Sequence, residues 1–300
     1  KSVPLDDKSL PWGQAQVGTV KDSNDTGGWW IYEWVNPDPE KSIESVTYVA
    51  ETETPLLIGG ITLCNEDSDP FVWPPCEEVA VSVDGDPESP LTVEVQRGVL
   101  ARQDRLFIPQ DDYLTTDETG WGVGGQSVRR DGYLEIHGSP EGTVTISVGE
   151  DRSASFRWGD VLSEKSVSDG PIRMEMVSPE GKQWLHVRMT DEDTGEPVGC
   201  RVHFRSPQGA YFAPHGHQAD VNIAWFEDMG GDCKVRGTPY AYIDGRCQIE
   251  LPIGQVYVEV VRGFEYTPVR EVVRIKPGQK DLSLKIKRAI DMKGRGYYSG

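Results

Sequence analysis

The sequence predicts an all-β chain of tandem β-sandwich modules, and three observations carry that reading. First, apolar and polar residues alternate with period two in Trp30–Val35, Ser45–Val49, Leu91–Val95, Thr143–Val148, Leu185–Met189 and Val256–Val260. These segments are rich in β-branched and aromatic residues and have turn formers at both ends. Second, 33 Gly and 21 Pro are spread without a repeat period, which punctuates many short strands rather than marking a low-complexity linker. Third, the helix period is nearly absent: a turn or so near Asp160–Lys165 and another around Trp225–Met229 are the candidates, too short to anchor a helical layer. A length of 300 residues suits two or three such modules.

The first module, 1–70, offers strands near Gln14–Val20, Trp29–Val35, Ile43–Val49 and Leu56–Leu63, few for an independent sandwich, so it reads as half a domain. The run from Gly28 through Trp29, Trp30 and Trp34 to Asn36-Pro37 and Ile43 resembles the closing strands of galactose-binding-like jelly rolls. The resemblance implies the C-terminal part of such a jelly roll, with Trp29, Trp30 and Trp34 as sugar or interface contacts. Burial of the same rings in a sandwich core is the competing role, and the usual one for Trp.

The second module, 74–165, has turn signals at Asp84-Gly85-Asp86 and Arg130-Asp131-Gly132-Tyr133 and a mobile or tightly bent loop expected at the run Gly120–Gly125. That run lacks a following Lys-Ser/Thr and a helix, so it is no phosphate loop. Arg97, Arg102, Arg105, Arg129 and Arg130 would suit a carboxylate or sulfate, but in so acidic a chain their expected fate is surface pairing with Asp104, Asp111 and Asp131.

The third module, 171–289, carries Thr194-Gly195-Glu196-Pro197-Val198, then Asp244-Gly245-Arg246 as a hairpin turn, then Leu251-Pro252-Ile253-Gly254 leading into Gln255–Val260. Pro252 cannot donate to a ladder and so marks a strand end. This order resembles transthyretin-like, carboxypeptidase-regulatory-type domains. The resemblance implies an immunoglobulin-type sandwich that serves as a structural appendage beside a catalytic or surface unit. One long loop, 208–239, departs from a minimal sandwich, and such loops usually carry function. Within it His215 and His217, with Asp220 or Asp232, are the candidate metal ligands; an H-x-H pair alone is a weak signal, and interdomain docking is the first role expected of the loop.

After Leu282–Arg288 the chain runs Met292-Lys293-Gly294-Arg295-Gly296-Tyr297-Tyr298-Ser299-Gly300. With Gly209–Pro214, Tyr240–Gly245 and Arg262–Pro268, this resembles the region just before the catalytic domain of carbaryl-hydrolase-like (CehA/McbA) metallohydrolases of the polymerase-and-histidinol-phosphatase superfamily. The resemblance implies that 290–300 is a linker towards a catalytic domain, with a divalent metal held by an Asp-x-His-x-His motif beyond Gly300. No catalytic or cofactor-binding residue of that family falls on this chain.

Composition narrows the classes further. A formal charge of −19, with 49 acidic against 30 basic residues, repels phosphate backbones, so nucleic acid is not an expected partner. No stretch approaches the roughly 18 to 20 apolar residues of a membrane span. The chain begins at Lys1 without Met or an apolar leader, which reads as a processed form or a fragment. Five cysteines in no C-x-x-C arrangement leave Cys64 with Cys76 and Cys233 with Cys247 as possible pairs in an exported protein, Cys200 being the odd one, or all five as free thiols. No G-x-S-x-G or H-E-x-x-H is present. The expected function is a non-catalytic N-terminal β-scaffold of a larger, extracellular or periplasmic metal-dependent hydrolase, with the downstream domain and a second copy of the chain as partners. The alternative is a carbohydrate-binding or fibre-forming surface protein whose partner is a glycan.

Overall fold

The computed structural model describes residues 12–16, 29–32, 36, 38, 40–49, 58–61, 63, 75–85, 89–108, 128–149, 151–218, 232–235 and 237–297. The described residues are all-β with one short helix, and the chain divides into two units, 1–73 and 74–300. No helix among the described residues is long and apolar enough to cross a membrane.

In the first unit, β1 (Trp12–Gln16) pairs antiparallel with β2 (Trp29–Tyr32), Ala15 opposite Trp30 and Gln16 opposite Trp29. Asn36 Oδ1 accepts from Asp38 N at 3.0 Å. The strand expected at Ile43–Val49 is corrected: these residues join no ladder among the described ones, and Val49 is 71% exposed. Ile58, Ile61 and Leu63 of the expected Leu56–Leu63 strand are likewise exposed and join no ladder among the described residues. Alternation alone does not make a strand where no partner edge supplies the hydrogen bonds.

The second unit opens with β3 (Cys76–Val83), β4 (Leu91–Ile108), β5 (Val128–Val148), β6 (Arg152–Arg157), α1 (Trp158–Glu164), β7 (Ser166–Asp169) and β8 (Ile172–Met176). The sheet order is β4-β5-β3-β8-β7, with β6 also on β5. β4 follows β5 along its length, while the other edge of β5 pairs with β3 at 133–137 and with β6 at 143–148. Leu134, Ile136, Val144, Ile146 and Val148 are all buried in one cluster, so the ribbon curls around its own inner face. Glycines make the corner. Gly98 lies opposite Gly138, and a Cβ on Gly98 would stand 2.4 Å from the His137 carbonyl. A Cβ on Gly138 would meet Trp158, the fully buried first residue of α1, at 3.0 Å. The Arg130–Tyr133 turn is corrected: these residues run inside β5, where a bulge opposite Asp104 and Arg105 uses Gly132 (φ +151°) to approach Val81 of β3.

The rest forms a sandwich: β9 (Lys182–Asp191), β10 (Cys200–Arg205), β11 (Tyr211–Phe212), β12 (Asp232–Val235), β13 (Thr238–Ile243), β14 (Arg246–Pro252), β15 (Gly254–Val261), β16 (Val269–Ile275) and β17 (Asp281–Ile286). The large sheet is β12-β13-β10-β15-β16 with β11 on β10; the small sheet is β14-β9-β17, with β17 parallel to β9. Val202, Phe204, Val256, Val258 and Val260 of the large sheet meet Leu185, Val187, Ile249 and Leu284 of the small one. Each such fully buried aliphatic side chain contributes roughly 1.5–3 kcal/mol. Asp244-Gly245 is not a hairpin turn. β13 and β14 lie in different sheets, so Gly245 (φ +101°) carries the chain across the sandwich, and Ile253 does the same before β15.

The two sheet systems of this unit share a core. Ala80, Leu106, Tyr133 and Val177 belong to the sandwich cluster, Phe107 N donates to the Gly209 carbonyl at 2.7 Å, and Lys182 Nζ donates to Glu78 Oε1 at 2.8 Å.

Candidate functional site

Three constellations of polar side chains stand out in the second unit. The first is in the loop that carries the candidate metal ligands. His217 Nδ1 lies 2.8 Å from Asp232 Oδ1, and Asp232 Oδ2 accepts from Gln218 N at 3.1 Å. A carboxylate only accepts, so the Nδ1–H donates and Nε2 is left as the second ring nitrogen. Asp232 opens β12, opposite Ala241. His215 is not part of this couple: its ring packs edge-on against Trp184 with centroids 5.8 Å apart, and its backbone N donates to the Gln248 carbonyl at 2.7 Å. No three His, Cys, Asp or Glu among the described residues are placed to hold a metal ion. Asp220 lies outside the described residues. The couple can orient an imidazole; with His215 turned away it supplies two groups of the proposed three.

The second constellation is a buried cationic face. Along β10, Arg201, His203 and Arg205 alternate with core residues Val202 and Phe204, so the basic side chains share the outer face of the large sheet with Tyr240, Glu259 and Arg270. His203 and Arg205 are fully buried and Glu259 nearly so. Phe107 covers His203 edge-on at 5.9 Å and Tyr211 stacks on it at 4.8 Å. His203 Nδ1 is 2.7 Å from the Pro239 carbonyl and Arg205 Nη1 is 3.5 Å from Nε2. The carbonyl accepts and the guanidinium donates, which fixes a neutral imidazole with its proton on Nδ1. Burial first, and the Arg205 charge second, hold the His203 pKa well below its ordinary value. Arg270 Nη2 pairs with Glu259 Oε1 at 3.5 Å, and Arg201 stands over the Tyr240 ring at 5.0 Å. Burial raises the Tyr240 and Tyr211 hydroxyls, so both stay protonated. Beside this face Arg102, Asp104, Arg105, Phe107, Tyr133 and Tyr211 line a shallow cleft. Its arginines are paired, Arg102 with Asp104 and Arg105 with Asp131.

The third is a latch on the segment after β17. Tyr266, 2% exposed, donates its hydroxyl to Asp191 Oδ2 at 2.8 Å and accepts from Arg288 Nη2 at 2.8 Å and Nε at 3.1 Å. Arg262 and Arg288 stand over its ring at 5.0 and 5.2 Å. Asp191 Oδ1 accepts from the backbone N of Asp193 and Thr194, so one side chain closes the Thr194-Gly195 turn and anchors the latch. The Tyr266 hydrogen bond, ahead of the backbone bonds, holds the Asp191 carboxyl below its ordinary value. Glu265 continues the grip: its carbonyl accepts from Ala289 N at 2.7 Å and its Oε1 from Met292 N at 3.0 Å. No expectation singled out these residues, although Glu265 and Tyr266 stand in the segment Arg262–Pro268 and Arg288 ends the segment Leu282–Arg288. The strict alternation Arg201-Val202-His203-Phe204-Arg205 was the available signal for the cationic face.

Of the other expected positions, Trp29 and Trp30 lie in β2 and Trp34 lies outside the described residues, as does Cys64. Cys76, Cys200, Cys233 and Cys247 are free thiols. Comparison with protein families finds no match, and comparison with curated proteins finds none. Among solved structures the chain is similar to the Streptococcal ancillary pilin, at 12% identity over 71% of this chain and 57% of that one, TM-score 0.23. It is similar to BcpA, the major pilin subunit of Bacillus cereus, at 10% identity over 71% and 59%, TM-score 0.22. A 35 kDa C-terminal fragment of the major pilin GBS80 of Streptococcus agalactiae gives 10% identity over 70% and 87%, TM-score 0.22. The chain thus spans less than two thirds of the first two pilins, and likeness at this level leaves function unaddressed.

Proposed function

We propose that this chain is a non-catalytic β-scaffold that positions a metal-dependent hydrolase domain following Gly300. The observation that carries the reading is the latch. Tyr266 and Glu265 grip Arg288, Ala289 and Met292 through side-chain and backbone bonds, so the segment leaving β17 keeps a fixed direction relative to the sandwich. A scaffold needs such a fixed exit; a flexible linker would not use a buried Tyr to anchor it. The sequence of that segment, Met292–Gly300, supports the same reading through its likeness to the step before the metal-bearing strand of carbaryl-hydrolase-like enzymes. The sandwich itself would be the transthyretin-like appendage of such an enzyme, exported with it.

A second reading has one feature in its favour. Trp184 is 54% exposed on the open face of the small sheet, beside His215, as a sugar-stacking residue would be. That would make the chain a glycan-binding surface protein.

Metal content and turnover separate the two. The 300-residue chain and the full polypeptide of the source are compared for bound transition metal and for hydrolysis of chromogenic ester and phosphoester substrates. The scaffold reading expects metal and turnover in the full polypeptide alone. Stoichiometric metal and turnover in the 300-residue chain, lost on His217→Ala, would overturn it.

A further inference from the structure

Cys200 and Cys247 lie on the inner faces of the two opposed sheets of the sandwich and pack against one core. Cys200 opens β10 opposite Ile243 and shares the inner face of the large sheet with Val202 and Phe204. Cys247, with Ile249 and Leu251, forms the inner face of β14 in the small sheet and packs against the same core. Only Asp244, Gly245 and Arg246 separate Ile243 from Cys247, and the chain changes sheets there, so both cysteines stand at one end of the sandwich with inner faces opposed. Gly245 packs on the approach to Cys200: a Cβ added to it would lie 2.7 Å from Val198 N. The other thiols are placed differently. Cys233 is opposite Tyr240 and so lies on the outer face of the large sheet, whereas Cys247 faces the core; Cys76 is exposed on β3.

We propose that Cys200 and Cys247 form a disulfide that ties the two sheets of the sandwich together when the chain folds in the presence of an oxidising thiol–disulfide couple. With glutathione disulfide as oxidant, one cysteine thiolate attacks a glutathione sulfur and expels a glutathione thiolate. The second cysteine thiolate attacks the protein sulfur of the mixed disulfide and expels the other. One S–S bond breaks and one forms, and the two glutathiones leave as thiols carrying the two protons and two electrons lost by the cysteines. Burial pushes both thiols up to about 12 in the folded chain, and each then offers little thiolate for exchange. The bond therefore forms during folding and resists later exchange.

The full chain, refolded from the reduced state with reduced and oxidised glutathione, is denatured, alkylated with N-ethylmaleimide and digested with trypsin. The expected product joins peptide 189–201 to peptide 247–262, lighter by two hydrogens than their sum. The oxidised chain melts roughly 5–10 °C above the dithiothreitol-treated one. Cys200→Ser loses both the product and the shift, and Cys233→Ser keeps both. The peptide map of the unaltered chain decides the matter even where a variant fails to fold. Recovery of both peptides singly alkylated, or of Cys247 joined to Cys233, would overturn the proposal.

Discussion

At the scale of single residues, the side chains that matter most are buried polar ones, and their protonation makes stability depend on pH. Folded His203 stays neutral, fixed by the Pro239 carbonyl and by Arg205, whereas an unfolded histidine takes up a proton near pH 6.5. The unfolded state then binds more protons, so stability is fully present above about pH 6.5 and falls as pH is lowered, by up to about 1.4 kcal/mol per pH unit. Urea unfolding between pH 7.5 and 5.5 should show this slope, and His203→Gln should remove one proton's worth of it. An unchanged slope in that variant would contradict the neutral assignment. Asp191 acts in a separate window, its held-down carboxyl losing its contribution only as pH falls below the ordinary Asp range. Tyr266→Phe removes the one hydroxyl that joins Asp191 to Arg288. It should lower the melting temperature by roughly 2–8 °C and speed hydrogen exchange at 287–292, whereas faster exchange spread evenly over the sandwich would mean no local latch.

At the scale of elements, strands were legible in the sequence and their assignment to sheets was not. Thr143–Val148 and Val256–Val260 alternate because one face meets a core, and both lie in strands, within β5 and β15. Ile43–Val49 alternates as well and makes no strand among the described residues, since alternation reports a preference and not a partner. Gly with Asp signals a change of direction without saying which: Asp244-Gly245 crosses between sheets, and Asp131-Gly132 is a bulge inside a strand. The site was legible in the same proportion. Of the candidate ligands His217 and Asp232 meet while His215 packs on Trp184 instead, and the latch joins residues 75 apart, Asp191 and Tyr266, which no local pattern reveals. The corner of the long β4–β5 ribbon carries its own prediction. Gly98→Ala places a methyl 2.4 Å from the His137 carbonyl and 2.9 Å from Gly138 Cα, both backbone, so neither can turn aside. Chemical unfolding should register a loss of about 1–3 kcal/mol; a neutral outcome would mean that the ribbon does not fold over at this point.

At the scale of the whole molecule, the curled β3–β8 sheet and the sandwich share one hydrophobic cluster through Leu106 and Tyr133, and salt links such as Lys182 to Glu78 flank it. In the proposed scaffold, a body joined in this way would carry orientation through the latch to the segment after β17. The charge of −19 adds solubility and keeps like-charged surfaces apart, but directs no chemistry of its own. The scaffold role requires a metal-bearing domain attached beyond the gripped segment. The most direct measurement is the intact mass of the protein purified from its source, read together with its metal content. A scaffold of this kind predicts a mass well above 33.3 kDa with bound transition metal. A mass near 33.3 kDa without metal would contradict it and leave the glycan-binding reading, centred on Trp184, in its place.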